Sequence, residues 1–125
     1  VGLGRRGEPA ASRRRQLEQR SRRICELNDD FRRTFTGGYV MITRGVRELG
    51  VAVLAAVVNA VRNYADFSEA NDPYQEHDFG SIEIGGHRIF WKIDYLDLQL
   101  EFGSPDPARP DLTARVLTIM LAEEY

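Results

Sequence analysis

Residues 82–93 hold the pattern that most limits how this chain can fold. Ile82 and Ile84 alternate with polar neighbours, Gly85-Gly86 follows, and Ile89, Trp91 and Ile93 alternate again. Period-two alternation puts all five apolar side chains on one face of a pleated strand pair. The two glycines close the pair as a hairpin, because a tight primed turn needs positive φ in its loop. With that loop, Ile84 faces His87, Ile82 faces Ile89 and Gly80 faces Trp91. A one-residue slip would turn the apolar set to the opposite face, so the register is strongly specified. A second turn at Tyr95-Leu96 continues the same face, setting Ile93 opposite Leu98, Trp91 opposite Leu100 and Ile89 opposite Phe102. It also sets Asp94 against Asp97.

Helical patterns flank this region. From Ser12, a favourable N-cap residue, Leu17, Ile24, Leu27, Phe31 and Phe35 recur at spacings of three, four or seven, which predicts one narrow apolar stripe on a helix. The stripe is dense only in its second half, so the Arg-, Glu- and Gln-rich first half should project from the body. Gly37-Gly38 ends the helix. Tyr39–Ile42 reads as a strand and 44–50 as a turn. The run VAVLAAVVNAVRNYADF (51–67) is helical in length and apolar on nearly every side, which predicts burial in the core or against a partner. Residues 66–78 form a polar loop with the turn signal Asn71-Asp72-Pro73. After a proline-rich loop over 104–110, Pro110 suits the first turn of a final helix over 111–125. The expected fold is α+β: an antiparallel sheet of three to four strands (a β-meander) with helices packed on one face. Residues 1–11 read as a flexible tail, and 12–125 as a single domain with an Arg-rich N-terminal helix.

The chain is 42% hydrophobic and 29% charged, enough apolar content for a core and too much for a disordered chain. One cysteine, Cys25, excludes an intrachain disulfide and suits a reducing compartment. No apolar run approaches a membrane span, and no signal-peptide pattern is present, so a cytoplasmic location is expected. The net charge of −2 conceals an asymmetry: residues 1–33 carry +5, and residues 34–125 carry −7.

Few residues suggest chemistry. Glu76, His77 and Asp78, with Asp94 nearby on the expected sheet, are types that bind a divalent metal or act as a general base. Neighbours on an extended segment point in opposite directions, however, and neither a nucleophile nor oxyanion donors accompany them. Cys25 lies far in sequence from both histidines and reads as a packing residue. GGYV and IGGH are turns, lacking the glycine spacing of a phosphate loop. Arg13, Arg14, Arg15, Arg20, Arg22 and Arg23 could meet phosphates, yet no aromatic residue precedes Phe31 to stack on bases. On the outward sheet face, Glu83 and Arg88 form an ordinary cross-strand pair. Phe79 and Phe90 are large apolar groups on that same face, beside Lys92, Asp94 and Glu101, and there they could anchor a partner.

Five segments carry a resemblance: LNDDFRRTFTGGYVMITRGV (27–46), NDPYQEHDFG (71–80), RIFWKIDYLD (88–97), LEFGSPDP (100–107) and RVLTIMLAEEY (115–125). From Ile24 onward, about four fifths of the chain, the sequence resembles the small bacterial proteins grouped as domain of unknown function 3768. Arg109 departs from the pattern, which has an acidic or small residue before the proline, and this bears on the N-cap of the expected last helix. The resemblance implies no established activity. It implies an alphaproteobacterial protein, often in plasmid or other mobile-element settings, where small acidic proteins commonly work by binding. It also implies that the Arg-rich start is dispensable.

The sequence therefore points first to a non-enzymatic interaction protein without a cofactor. Its expected partner is a protein with a basic surface, such as a host nuclease or defence complex, and a second copy of the chain is admitted as a partner. Nucleic-acid binding through the Arg-rich helix is the first alternative. A metal-dependent enzyme built on Glu76, His77, Asp78 and Asp94 is the second.

Overall fold

A computed structural model describes residues 9–125, and the glycine hairpin sets the register of its sheet. β2 (Phe79–Ile84) and β3 (His87–Leu96) pair antiparallel, with Ile84 opposite His87, Ile82 opposite Ile89 and Gly80 opposite Trp91. Gly85 and Gly86 take φ of 59° and 80°, as the tight turn requires. Gly80 is needed for a different reason. A Cβ there would collide with Trp91 Nε1 and lie 2.8 Å from Tyr64 Cζ, so only glycine lets the indole lie across β2.

The last segment is a strand, β4 (Ala114–Leu121), and not the expected helix. Pro110 opens a single helical turn, Pro110–Leu112, which stops at the extended Thr113. β4 is central: it pairs antiparallel with β3 and parallel with β1 (Tyr39–Ile42), giving the order β1-β4-β3-β2. A central strand that carries apolar groups on both faces reads as a continuous apolar run, which periodicity alone cannot distinguish from a buried helix.

β4 also occupies the place expected for a second hairpin. Ile93 pairs with Leu117, Trp91 with Ile119 and Ile89 with Leu121, and Asp94 faces Val116 in place of Asp97. β3 simply runs on through Tyr95 and Leu96. Beyond it the chain closes a compact turn in which the Asp97 carboxylate accepts from the Glu101 N–H at 3.0 Å and Leu100 is left-handed at φ 61°. Leu98, Leu100 and Phe102 are therefore exposed. Strands β2, β3 and β4 form a meander whose third strand is β4 in place of the expected 97–102, and β1 adds a parallel edge.

α1 (Ala10–Thr34), α2 (Arg44–Arg47) and α3 (Val51–Arg62) lie on one side of the sheet. α1 ends one turn before the two glycines: Phe35 adopts φ 58° and donates its N–H to Phe31 O. Its first half, up to Arg20, is exposed apart from Ser12. Of the expected tail, residues 1–8 lie outside the described residues, while Ala10 and Ala11 are helical.

The core joins Phe31 of α1 and Val46, Val57, Val61 and Tyr64 to one parity of the strands: Ile89, Trp91, Ile93, Leu117 and Ile119. α3 is buried only through Val57 and Val61, so its Val51, Ala52, Ala55 and Ala56 are exposed rather than enclosed. No described helix is long and apolar enough to cross a membrane.

After β4 the chain folds back, and Glu124 Oε1 accepts from the Thr43 hydroxyl at 2.7 Å and the Leu121 N–H at 2.8 Å. These two donors, the Thr43 hydroxyl foremost, hold the Glu124 carboxyl below its ordinary range. Stability from a depressed carboxyl is present above the unfolded value and is lost as pH falls through the folded one. Glu124→Gln should therefore melt below the wild type at neutral pH, with the gap narrowing on acidification; a gap independent of pH would contradict this account. Gly80→Ala should cost about 1–3 kcal/mol in chemical denaturation, since it forces an aromatic ring out of a packed core. An unchanged midpoint would show that Trp91 has room to move.

Candidate functional site

α1 is fastened to the body by buried polar groups. Arg32 is fully buried, and its NH1 donates to Val61 O at 3.0 Å and to Arg62 O at 3.2 Å. These are the last carbonyls of α3, where a cation meets both unsatisfied acceptors and the negative end of the helix dipole. Arg32 NH2 donates to Asp29 Oδ1 at 2.8 Å, and the guanidinium lies over the rings of Trp91 and Phe67 at 5.2 and 5.5 Å.

One turn earlier, buried Asn28 donates to Glu76 O at 2.9 Å and to the Tyr95 hydroxyl at 2.7 Å, and accepts from Arg115 Nε at 2.8 Å. Tyr95 in turn donates to Glu76 Oε1 at 2.8 Å. Burial, with Glu76 adjacent, pushes the Tyr95 phenol well above its usual value.

His77 sits between these anchors. Its Nδ1 is 2.9 Å from Asp29 Oδ1 on α1, and its Nε2 is 3.6 Å from Asp72 Oδ2 in its own loop. Phe67 stacks flat on the imidazole at 3.6 Å between centroids. The Asp72 carboxylate also accepts from the Glu76 and His77 N–H groups, at 3.0 and 3.1 Å. Gln75 and His77 both have positive φ, 57° and 56°. Such a backbone persists only where its surroundings impose it, and here the loop is bent so that the ring turns toward α1.

Cys25, one helical turn before Asp29, places its Sγ 3.8 Å from Asp29 Oδ2. Burial and the neighbouring Asp29 carboxylate push its thiol up to about 12, the opposite of an activated nucleophile. Burial alone would raise the Asp29 carboxyl, but the hydrogen bonds with His77 and Arg32 hold it below its ordinary range. Cys25 and His77 line an open groove of about 970 Å³ with Leu17, Ser21, Phe67 and Tyr74.

Among the described residues, no helix lies over the opposite sheet face. Phe79 and Phe90 lie 5.2 Å apart there, and Tyr125 packs edge-on at 6.3 and 5.8 Å from them. Tyr125 is 76% exposed, and Tyr39 and Met41 extend the apolar surface along β1 at 53% and 58%. Lys92 and Asp94 make a 2.7 Å ion pair on the same face.

The family described as Protein of unknown function (DUF3768) matches residues 42–124. The chain belongs to this family. No curated protein and no solved structure matches it. The matched span includes Asp72, His77, Phe79 and Phe90, whereas Cys25 and Asp29 precede it and Tyr125 follows it.

The residues singled out by sequence thus separate. Phe79, Phe90, Lys92 and Asp94 share the open face, but Glu101 lies in the turn after β3, because the strand expected to carry it does not form. Glu76, His77 and Asp78 point to three different places, because the backbone is left-handed at Gln75 and His77 and not extended there. Glu76 meets Tyr95, His77 meets α1, and Asp78 is half-buried, its carboxyl raised by burial and by the Glu76 charge.

Of the arginines, Arg20 pairs with Asp106 at 3.2 Å and Arg23 with Glu26 at 3.6 Å. Arg14 and Arg22 border the groove, and Arg13 and Arg15 are on the exposed first half of α1. Sequence reasoning passed over Asp29, Asp72 and Cys25 as a group. Its usable signal was the four-residue spacing of Cys25 and Asp29, which puts both on one face of α1.

Arg32→Ala should destabilise the protein by about 3–5 kcal/mol, because it strands Asp29 and the α3 carbonyls without their cation. Arg32→Lys should recover only a minor part of that, since an ammonium cannot fork to both partners and stack. Full recovery in urea denaturation would reduce Arg32 to a point charge.

Proposed function

We propose that this domain works by binding another protein through its helix-free sheet face. The observation that carries the reading is the Phe79–Phe90–Tyr125 aromatic cluster, half-buried at the two phenylalanines and open at Tyr125, on a face that no helix among the described residues covers. Aromatic groups gathered at the centre of a surface with a charged rim are the usual anchors of protein recognition. Here the rim is Glu83–Arg88 and Lys92–Asp94.

The chemistry of the partner follows from charge. Residues 34–125 carry −7, so a basic surface gains association rate from long-range attraction and an acidic one is disfavoured. A protein complex that handles nucleic acid, such as a host nuclease or defence assembly, has a basic surface of this kind. The reading is non-enzymatic: burial and the Asp29 carboxylate raise the Cys25 thiol, which disfavours it as a free nucleophile.

Immobilised protein should capture its partner in a manner weakened by salt. Phe79→Ser with Phe90→Ser should lower affinity by about tenfold or more, as loss of interface anchors does, while circular dichroism shows the sheet retained. Tyr125→Ala, at the exposed end of the cluster, should weaken capture with no change in melting temperature. Undiminished capture by both variants would place the interface elsewhere on the protein.

A further inference from the structure

We propose that Cys25, Asp29 and His77 form a zinc site where α1 meets the loop before β2, with Asp72 as the carboxylate that orients the histidine. A thiol sulfur, a carboxylate oxygen and an imidazole nitrogen from these three residues lie within 4.8 Å of one another. Tetrahedral zinc with bonds of about 2.3 Å to sulfur and 2.0 Å to oxygen holds those two ligand atoms roughly 3.5 Å apart. Cys25 Sγ and Asp29 Oδ2 already stand at 3.8 Å, so a small closure assembles the site.

The surroundings fit the same reading. Arg32 is bonded to Asp29 Oδ1, leaving Oδ2 on the side of the cysteine. Arg33 NH2 stands 3.9 Å from that same Oδ2, but its exposed side chain can leave the oxygen to a metal. His77 cannot swing away, because Phe67 stacks on its ring and its Nε2 faces Asp72 at 3.6 Å. Nδ1, which bonds Asp29 Oδ1 at 2.9 Å, is the nitrogen that would turn to the metal, while Nε2 keeps Asp72 behind it, the usual arrangement behind a metal-ligating histidine.

The donor set selects the ion. Magnesium and calcium take oxygen ligands in larger number, whereas sulfur, nitrogen and oxygen in a set of three suit zinc. Three protein ligands leave the fourth position to the open groove. Two of these ligands come from α1 and one from the loop over 63–78, so zinc would clip that loop to the helix.

The test uses the full chain, stripped of metal by a chelator and kept reduced, with zinc chloride titrated by calorimetry and cobalt(II) followed by absorbance. One zinc per chain should bind, and cobalt should give a thiolate-to-metal charge-transfer band. Cys25→Ser and His77→Gln should each weaken binding by about tenfold or more, and Cys25→Ser should remove the band. His87→Gln, at the hairpin tip, should bind like the wild type. Zinc should raise the melting temperature of the wild type and leave that of Cys25→Ser unmoved. No heat with zinc, or binding kept in both ligand variants, overturns the site. Should Cys25→Ser not fold, a wild-type cobalt spectrum without the thiolate band overturns it as well. Partner capture through the opposite sheet face is a separate measurement, and neither result decides the other.

Discussion

The buried guanidinium of Arg32 is the point on which the arrangement of layers depends. It comes from α1, terminates α3 by taking that helix's last carbonyls, holds Asp29 and lies against Trp91 and Phe67. A charge removed from water is tolerated only when its partners are close and numerous. Arg32 can have those partners in one mutual placement of helix, helix and sheet. Apolar side chains alone would allow α1 to slide along the core; a planar fork with fixed acceptors does not. Asn28 repeats this one turn away, joining Glu76, Tyr95 and Arg115. The polar interior of this small domain therefore specifies geometry, while Trp91, Leu117 and Ile119 supply the apolar burial.

What could be read from the sequence follows how local each cause is. The hairpin was legible to the residue, because two glycines and a strict alternation leave one register, and the close approach at Gly80 agrees with it. The helix and the part of its stripe from Ile24 to Phe31, with the strand at Tyr39, were legible for similar reasons, whereas Leu17 is 65% exposed and Phe35 is the left-handed cap beyond the helix. The identity of β4 was not, since Val116–Leu121 carries apolar groups toward both faces and its neighbours are set by pairing with residues 39–42, far away in the chain. The expected turn at Tyr95-Leu96 failed for a related reason: the apolar face of β3 was waiting for a partner, and the nearest apolar alternation in sequence was not the one that filled it.

The two candidate sites show the same division. The open face was visible because Phe79 and Phe90 break a polar alternation, which is a local signal. The histidine centre was misassembled because Glu76 and Asp78 adjoin His77 only along the chain. Its partners in space come from a helix about fifty residues earlier, brought there by a loop with two positive φ angles in residues without glycine's freedom. The arginine-rich first half of α1 meets the acidic remainder where Arg20 pairs with Asp106.

The central position of β4 bears on how the protein comes to be folded at all. It is the last strand in the chain, yet it lies between β1 and β3. As the chain lengthens during synthesis, β1 has no strand to pair with and β3 keeps one open side until residues 114–121 arrive. Contacts this distant in sequence are slow to form, and unpaired strand edges invite other chains in the interval. The hairpin can form early by itself, but the sheet closes only in a final step that brings both halves of the chain together around one strand.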